Sequence, residues 1–172
     1  MARGQELAAA VNAEPLWLQV ARRHIGVAEI PGKESAPIIT RWLKELGAWW
    51  TDDATPWCGV FVAACLSDVG LPKPKHWYRA RAYLDYGTAL TMPVMGAIVV
   101  FERTGGGHVG FTVGRNERGA LMVLGGNQGD RVSIAAFDPS RVLGYRWPIG
   151  APYSSRPLDR YAGTYRLSVN ES

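Results

Sequence analysis

A cysteine, a histidine and a side-chain amide in this chain have the types and order that nucleophilic catalysis needs. Cys58 stands in Thr55-Pro56-Trp57-Cys58-Gly59-Val60-Phe61-Val62, where a turn-forming Thr-Pro pair runs into an apolar stretch of helical character that ends near Gly70. That spacing puts Cys58 in the first turn of a helix, where unpaired backbone N–H groups and the positive end of the dipole favour a thiolate. A thiolate attacks carbonyl carbon, and its base is held in place by a third polar group. His108 follows Gly105, Gly106 and Gly107 and opens a run of strand character. Asn127 follows the next apolar run, and its side-chain carbonyl suits an imidazole N–H. The order Cys58, His108, Asn127 reads as nucleophile, base and orienter, with Asp130 the rival for the third place. Taken singly, each has a structural reading: free Cys packs as a small hydrophobe, and Gly-Gly-Asn makes turns. A Cys so placed beside a His is expected to have a lowered pKa and to be thiolate near neutrality.

Apolar spacing predicts the elements that position these residues. Helices are expected over 15–25 and 37–46, the second opened by Pro37 and closed by Gly47, then the cysteine helix, then a short helix over 79–86. After Met92-Pro93 the pattern changes to short runs rich in β-branched residues: 97–101, 108–113, 120–124, 131–135 and 142–147. Helices first and closely connected strands after predict an α+β fold with an antiparallel sheet. Trp49, Trp50, Trp57, His76, Trp77 and Gly107 flank the candidate nucleophile and base and are the expected substrate-binding residues, with at least one of Trp49 and Trp50 packing into the core.

The whole chain narrows the function classes. Its 172 residues suit one domain with a full core. No run of apolar residues is long enough for a membrane span. The first residues carry a short Ala run followed by Glu14-Pro15 and read as no signal peptide. Cys58 and Cys65 lie about 10 Å apart along one helix, beyond the roughly 7 Å reach of a disulfide, so both are expected free. Cys58, Cys65, His24, His76 and His108 lack the paired spacing of a zinc site, and His24 is expected to cap or pack. The net charge of +4 comes mostly from the stretch after Ser140, with Arg141, Arg146, Arg156, Arg160 and Arg166. Such a surface suits nucleic acid, anionic lipid or an anionic polymer such as a cell wall, or serves solubility alone, and no nucleic-acid signature accompanies it.

Four blocks together resemble the CHAP and NlpC/P60 group of papain-like cysteine peptidases and amidases: Trp57-Cys58-Gly59-Val60-Phe61-Val62, Gly96-Ala97-Ile98-Val99-Val100-Phe101, Gly107-His108-Val109-Gly110-Phe111 and Gly125-Gly126-Asn127-Gln128. Gly26-Val27-Ala28-Glu29-Ile30-Pro31-Gly32 and Arg79-Ala80-Arg81-Ala82-Tyr83-Leu84 resemble a phage and bacterial branch of that group. The resemblance spans roughly residues 16–148. It implies an α+β, papain-like fold with N-terminal helices and the nucleophile helix packed on an antiparallel sheet of about five strands. It implies hydrolysis of amide bonds in peptidoglycan, with Cys58 and His108 at the family's catalytic positions and Asn127 at its third polar position. The acidic residue that some CHAP members carry just before that Asn is absent, Gly125 and Gly126 standing there, and no acidic loop matches the calcium site of some members.

The expectation is a single cysteine-hydrolase domain over 1–148 and a basic tail over 149–172, docked on it or partly flexible. The protein is expected to be a phage endolysin: a monomer without metal or cofactor that binds peptidoglycan, takes no nucleic acid and does not insert stably into a membrane. It would be made in the cytoplasm without a signal peptide and act on the wall, in the periplasm, after release. Cleavage as an N-acetylmuramoyl-L-alanine amidase or as an endopeptidase stays open. A tail-associated or bacterial wall hydrolase, an acyltransferase on the same scaffold, and a wall-binding module without turnover are the alternatives.

Overall fold

Helices precede strands in the computed structural model, which describes residues 12–163, 165–169 and 171. Helix α1 (Leu16–Arg23) buries Trp17, Leu18 and Ala21 along one face. Helix α2 (Pro37–Leu46) has Pro37 in its first turn and a left-handed Gly47 as its C-cap, and buries Ile39, Trp42 and Leu43. Helix α3 (Cys58–Asp68) is apolar all round, with every residue from Cys58 to Leu66 buried, and is therefore the central helix. The short helix expected over 79–86 is a 3₁₀ turn, Ala80–Asp85.

The sheet comprises β1 (Thr88–Leu90), β2 (Ile98–Arg103), β3 (Gly106–Asn116), β4 (Leu121–Gly125), β5 (Ser133–Phe137), β6 (Val142–Trp147) and β7 (Asp159–Tyr161). The path β1-β6-β2-β3-β4-β5 is antiparallel throughout. The five strands expected from the sequence are among these; β1 and β7, three residues each, are additional. β7 runs parallel to the Gly114–Asn116 end of β3, past the stretch that β2 covers.

Two apolar cores share the sheet. On one side Ile98, Val100, Val109, Phe111, Val113, Met122 and Leu124 pack with the helices. On the other, Val99, Phe101, Leu121, Val123 and Phe137 form a smaller cluster. The alternation of β3 decides which core each residue joins: Val109 and Phe111 face α3, whereas His108 stacks on Phe137, ring centroids 5.3 Å apart and nearly parallel. Behind this stack the Arg141 guanidinium lies 5.7 Å over the Phe137 ring and pairs with the buried Glu171 carboxylate through two contacts of 3.2 and 3.1 Å.

Candidate active site

Cys58 is the first residue of α3, as expected, and is 5% exposed. Its thiol departs from the expectation. Burial pushes the Cys58 pKa up, and the Val109 backbone N–H and the charge of Arg103 offset only part of this. The dipole argument holds for a solvated helix end, and desolvation outweighs it here. Cys65, wholly buried two turns on, is pushed well above the ordinary thiol range, also by burial first. Both cysteines are free.

His108 is fully buried and neutral: burial lowers its pKa to about 4. Its Nε2 lies 2.9 Å from Oε1 of Gln128. The Gln128 amide hydrogens are committed elsewhere, Nε2 donating to the Val123 carbonyl at 3.1 Å and to the Ser133 carbonyl at 2.8 Å. Oε1 is thus the acceptor and His108 Nε2 carries the proton. The other ring nitrogen, Nδ1, is left with its lone pair, buried and without a hydrogen-bond partner among the described residues. An unprotonated, unengaged imidazole nitrogen is what a general base requires.

The side chain hydrogen-bonded to His108 is Gln128, where Asn127 was expected. Asn127 is buried with φ 58°, and neither of its amide atoms has a hydrogen-bond partner among the described residues. Its left-handed backbone turns the chain so that the next side chain, not its own, returns to His108. Asp130, the rival, is exposed, and its backbone carbonyl accepts from Glu29 N at 2.9 Å. The glycine pair explains the substitution. A Cβ on Gly125 would sit 3.3 Å from His108 Nε2 and 3.0 Å from Gln128 Cδ. The Gln128 amide occupies the room a side chain at 125 would need. A Cβ on Gly126 would lie 2.6 Å from both Phe61 Cβ and the Trp57 ring. The loop therefore runs between His108 on one side and the first turn of α3 on the other.

The other expected residues separate. Trp57 is not at the surface: it is fully buried, because it caps a helix that is apolar on all sides. Its Nε1 donates to Glu29 Oε1 at 2.7 Å. Trp77 is also buried, beneath Trp50, which stacks on it at 5.9 Å. Trp49 and His76 are exposed, and Trp50 and Gly107 are half-buried. His24 packs edge-on to Trp42 at 5.0 Å, and burial lowers its pKa.

Glu29 has a place that its motif alone did not reveal. Ala28 bridges Arg131 in antiparallel fashion, and Gly26 N donates to Val132 O while Val132 N donates to Val27 O. The loop 26–30 is thus zipped to the loop that carries Gln128, and the Glu29 carboxylate ties that assembly to the residue before Cys58. The sequence signal was the presence of an acid in an otherwise apolar, Gly-bounded segment; its partner lies too far along the chain to be read.

A helix-borne cysteine and a strand-borne histidine with its proton fixed on Nε2 are the kinds of group that acyl transfer uses. Residues 50–127 match the CHAP domain, the family that the motif blocks resemble. CHAP domains are usually cysteine- and histidine-dependent amidohydrolases, and the match points to a peptidoglycan hydrolase or amidase family. The matched stretch contains Cys58 and His108 and stops one residue before Gln128. No curated protein matches the chain. Among the described residues, no helix is long and apolar enough to cross a membrane, and no group of three His, Cys, Asp or Glu side chains is placed to hold a metal ion.

Proposed function

We propose that the protein hydrolyses an amide bond of peptidoglycan through a thioester on Cys58, acting on the wall as a lytic enzyme of the endolysin type. The reading is supported above all by the Gln128-fixed tautomer, which leaves His108 Nδ1 as the free base. Thiol and imidazole both start neutral. His108 Nδ1 takes the thiol proton as sulfur attacks the amide carbonyl, and the Cys58 backbone N–H stabilises the oxyanion. The imidazolium then protonates the leaving amine, and water, activated by the same nitrogen, hydrolyses the thioester and restores the thiol. In this reading residues 1–148 are the hydrolase domain, the stretch from 149 on braces it through β7 and Glu171, and the protein acts as a monomer.

The test is release of soluble fragments from purified sacculi, and turbidity loss of outer-membrane-permeabilised bacteria. The parent should clear both, and folded Cys58→Ala neither. Intact walls after treatment with folded parent protein would overturn the proposal.

A further inference from the structure

Aromatic residues from before and after the nucleophile in the chain, Trp49 and Trp50 with Trp77 and Tyr78, form a surface that the acyl transfer does not use. Trp49 is 73% exposed, yet its indole is held on two sides, edge-on to Trp50 and to Tyr78 with ring centroids 4.7 Å apart in each case. Trp50 rests on buried Trp77, and the Tyr78 ring stands perpendicular to Trp77 at 5.6 Å. His76 Nδ1 lies 3.3 Å from the Tyr78 hydroxyl, and the Arg79 guanidinium sits 5.5 Å over the Tyr78 ring. The result is a rigid indole facing solvent, at the hydrophobic cost that a large exposed apolar side chain carries.

The backbone that carries part of this platform packs against the residue after the nucleophile. The Trp77–Tyr78 backbone lies against Gly59, the residue after Cys58: a Cβ there would be 3.2 Å from the Tyr78 carbonyl oxygen. The Tyr83 hydroxyl donates to both the Gly59 and the Trp77 carbonyls, at 2.8 and 3.1 Å, which locks the two together. A hollow of about 150 Å³ is lined by Trp49, Trp50 and Tyr78 together with Thr55 and Pro56 of the turn that leads to the helix. On its far side Trp50 also borders a hollow of about 470 Å³ that includes Arg41 and Lys44.

The chemistry that fits is a pyranose ring. One face of a sugar is a flat array of C–H bonds that stacks on an indole, its hydroxyl and acetamido groups suit Tyr78 and His76, and the small hollow suits an acetamido methyl. A stem peptide, with its short side chains, offers no flat ring to cover Trp49, whereas its carboxylates suit Arg41 and Lys44. We infer that Trp49 and Tyr78 bind a sugar of the glycan strand beside Cys58. The amide presented to sulfur is then the one joining the sugar-borne lactyl group to the stem peptide, not one within or between stems. This rests on the amidohydrolase reading above.

Two measurements decide it. Peptide-free glycan chains should quench the tryptophan fluorescence of full-length Cys58→Ala, and the quench should be lost in Cys58→Ala with Trp49→Ala. Parent protein acting on sacculi should release whole stem peptides with a new amino terminus and leave sugar without peptide. Trp49→Ala should raise KM about tenfold with kcat within twofold and an unchanged thermal midpoint, and Trp49→Tyr should recover most of the loss. Stems cut internally and still attached to sugar, or a KM unmoved by Trp49→Ala, would overturn the inference while leaving the hydrolase reading intact. Sacculi left intact by the parent would sink the hydrolase reading, and the fluorescence experiment, which needs no turnover, would still judge the sugar contact: no quench refutes it.

Discussion

Gln128→Met keeps the length and volume of the side chain and removes its amide. His108 Nε2–H then loses its acceptor at 2.9 Å, and the Val123 and Ser133 carbonyls lose donors at 3.1 and 2.8 Å. His108 is fully buried, so water does not replace the lost acceptor. Leaving a buried polar group unpaired costs about 1–3 kcal/mol, and partial relaxation of the carbonyls keeps the total near ~3 kcal/mol. For a chain of this size that is roughly a 10 °C drop in thermal midpoint. The kinetic loss follows from the tautomer: without the acceptor, the proton is free to sit on Nδ1, where it disables the base. Disturbing the tautomer in a serine triad costs about 10⁴ in kcat, and a neutral amide should contribute less, about 10², equivalent to ~3 kcal/mol of barrier. Gln128→Glu separates orientation from stability. It accepts from Nε2–H but donates to neither carbonyl, so it should remain destabilised while regaining part of kcat. The two variants should also move the acid limb of activity in opposite directions. The Gln128 hydrogen bond raises the His108 pKa against the effect of burial. Its loss in Gln128→Met should push the limb below its position near pH 4, and the carboxylate in Gln128→Glu should pull it up. Initial rates of fragment release between about pH 2.5 and 8, with thermal midpoints, give both readings. A Gln128→Met variant within threefold of the parent, with an unmoved acid limb, would refute the tautomer argument.

The remaining predictions concern separate parts of the molecule. Because the folded His108 pKa is depressed to about 4 from 6.5, its contribution to stability is full above about pH 6.5 and is lost as pH falls toward 4. Denaturant titrations should show a fall on the order of 3 kcal/mol across that window, reinforced by His24, which is shifted the same way; a flat profile would contradict it. Iodoacetamide should label Cys58 before Cys65, faster above neutrality because the Cys58 pKa is raised, and activity should fall in step with that first label. Glu29→Ala should lower fragment release and cost about 1–3 kcal/mol by stranding the buried Trp57 N–H, whereas Glu29→Gln, which keeps an acceptor, should stay close to the parent; equal behaviour of the two would remove Glu29 from the positioning network. Gly126→Ala should cost about 1–3 kcal/mol, read from its thermal midpoint, since Phe61 and Trp57 are buried and have no room to yield.

Much of the scaffold was legible in the sequence. The Pro37–Leu46 helix begins and ends where Pro37 and Gly47 announce it, and α3 starts at Cys58, because caps and apolar spacing are local signals. The strands β1 and β7 were not legible: three residues hold no alternation, and the parallel pairing of β7 with β3 links residues more than 40 positions apart. The elements that carry the candidate residues were legible, and the contacts among those residues were not. Cysteine and histidine announce themselves by type and context. Gln128 did not, because a left-handed Asn127 decides which of two adjacent amides returns to the strand. Trp57 looked like a cleft residue by its nearness to Cys58, but the N-cap of a helix buried on every side points inward. The thiolate expectation failed for a related reason: the dipole is written in the helix start, while the desolvation that overrides it belongs to the packed fold.

The split between the two cores gives β3 the role of a pivot. The sulfur is anchored in the helix-side core, and the imidazole packs against the stacked Phe101–Phe137 pair of the smaller one, face to face with Phe137. Their alignment therefore depends on how α3 packs on one face of β3 and on how Phe137 packs on the other. Repacking Val99, Leu121 or Phe137 re-aims the imidazole, and repacking α1 or α2 shifts the sulfur. A campaign that hardens this protein against heat by filling one core alone will tend to trade alignment for rigidity. Matched changes on both faces of the sheet are the route that leaves nucleophile and base in register.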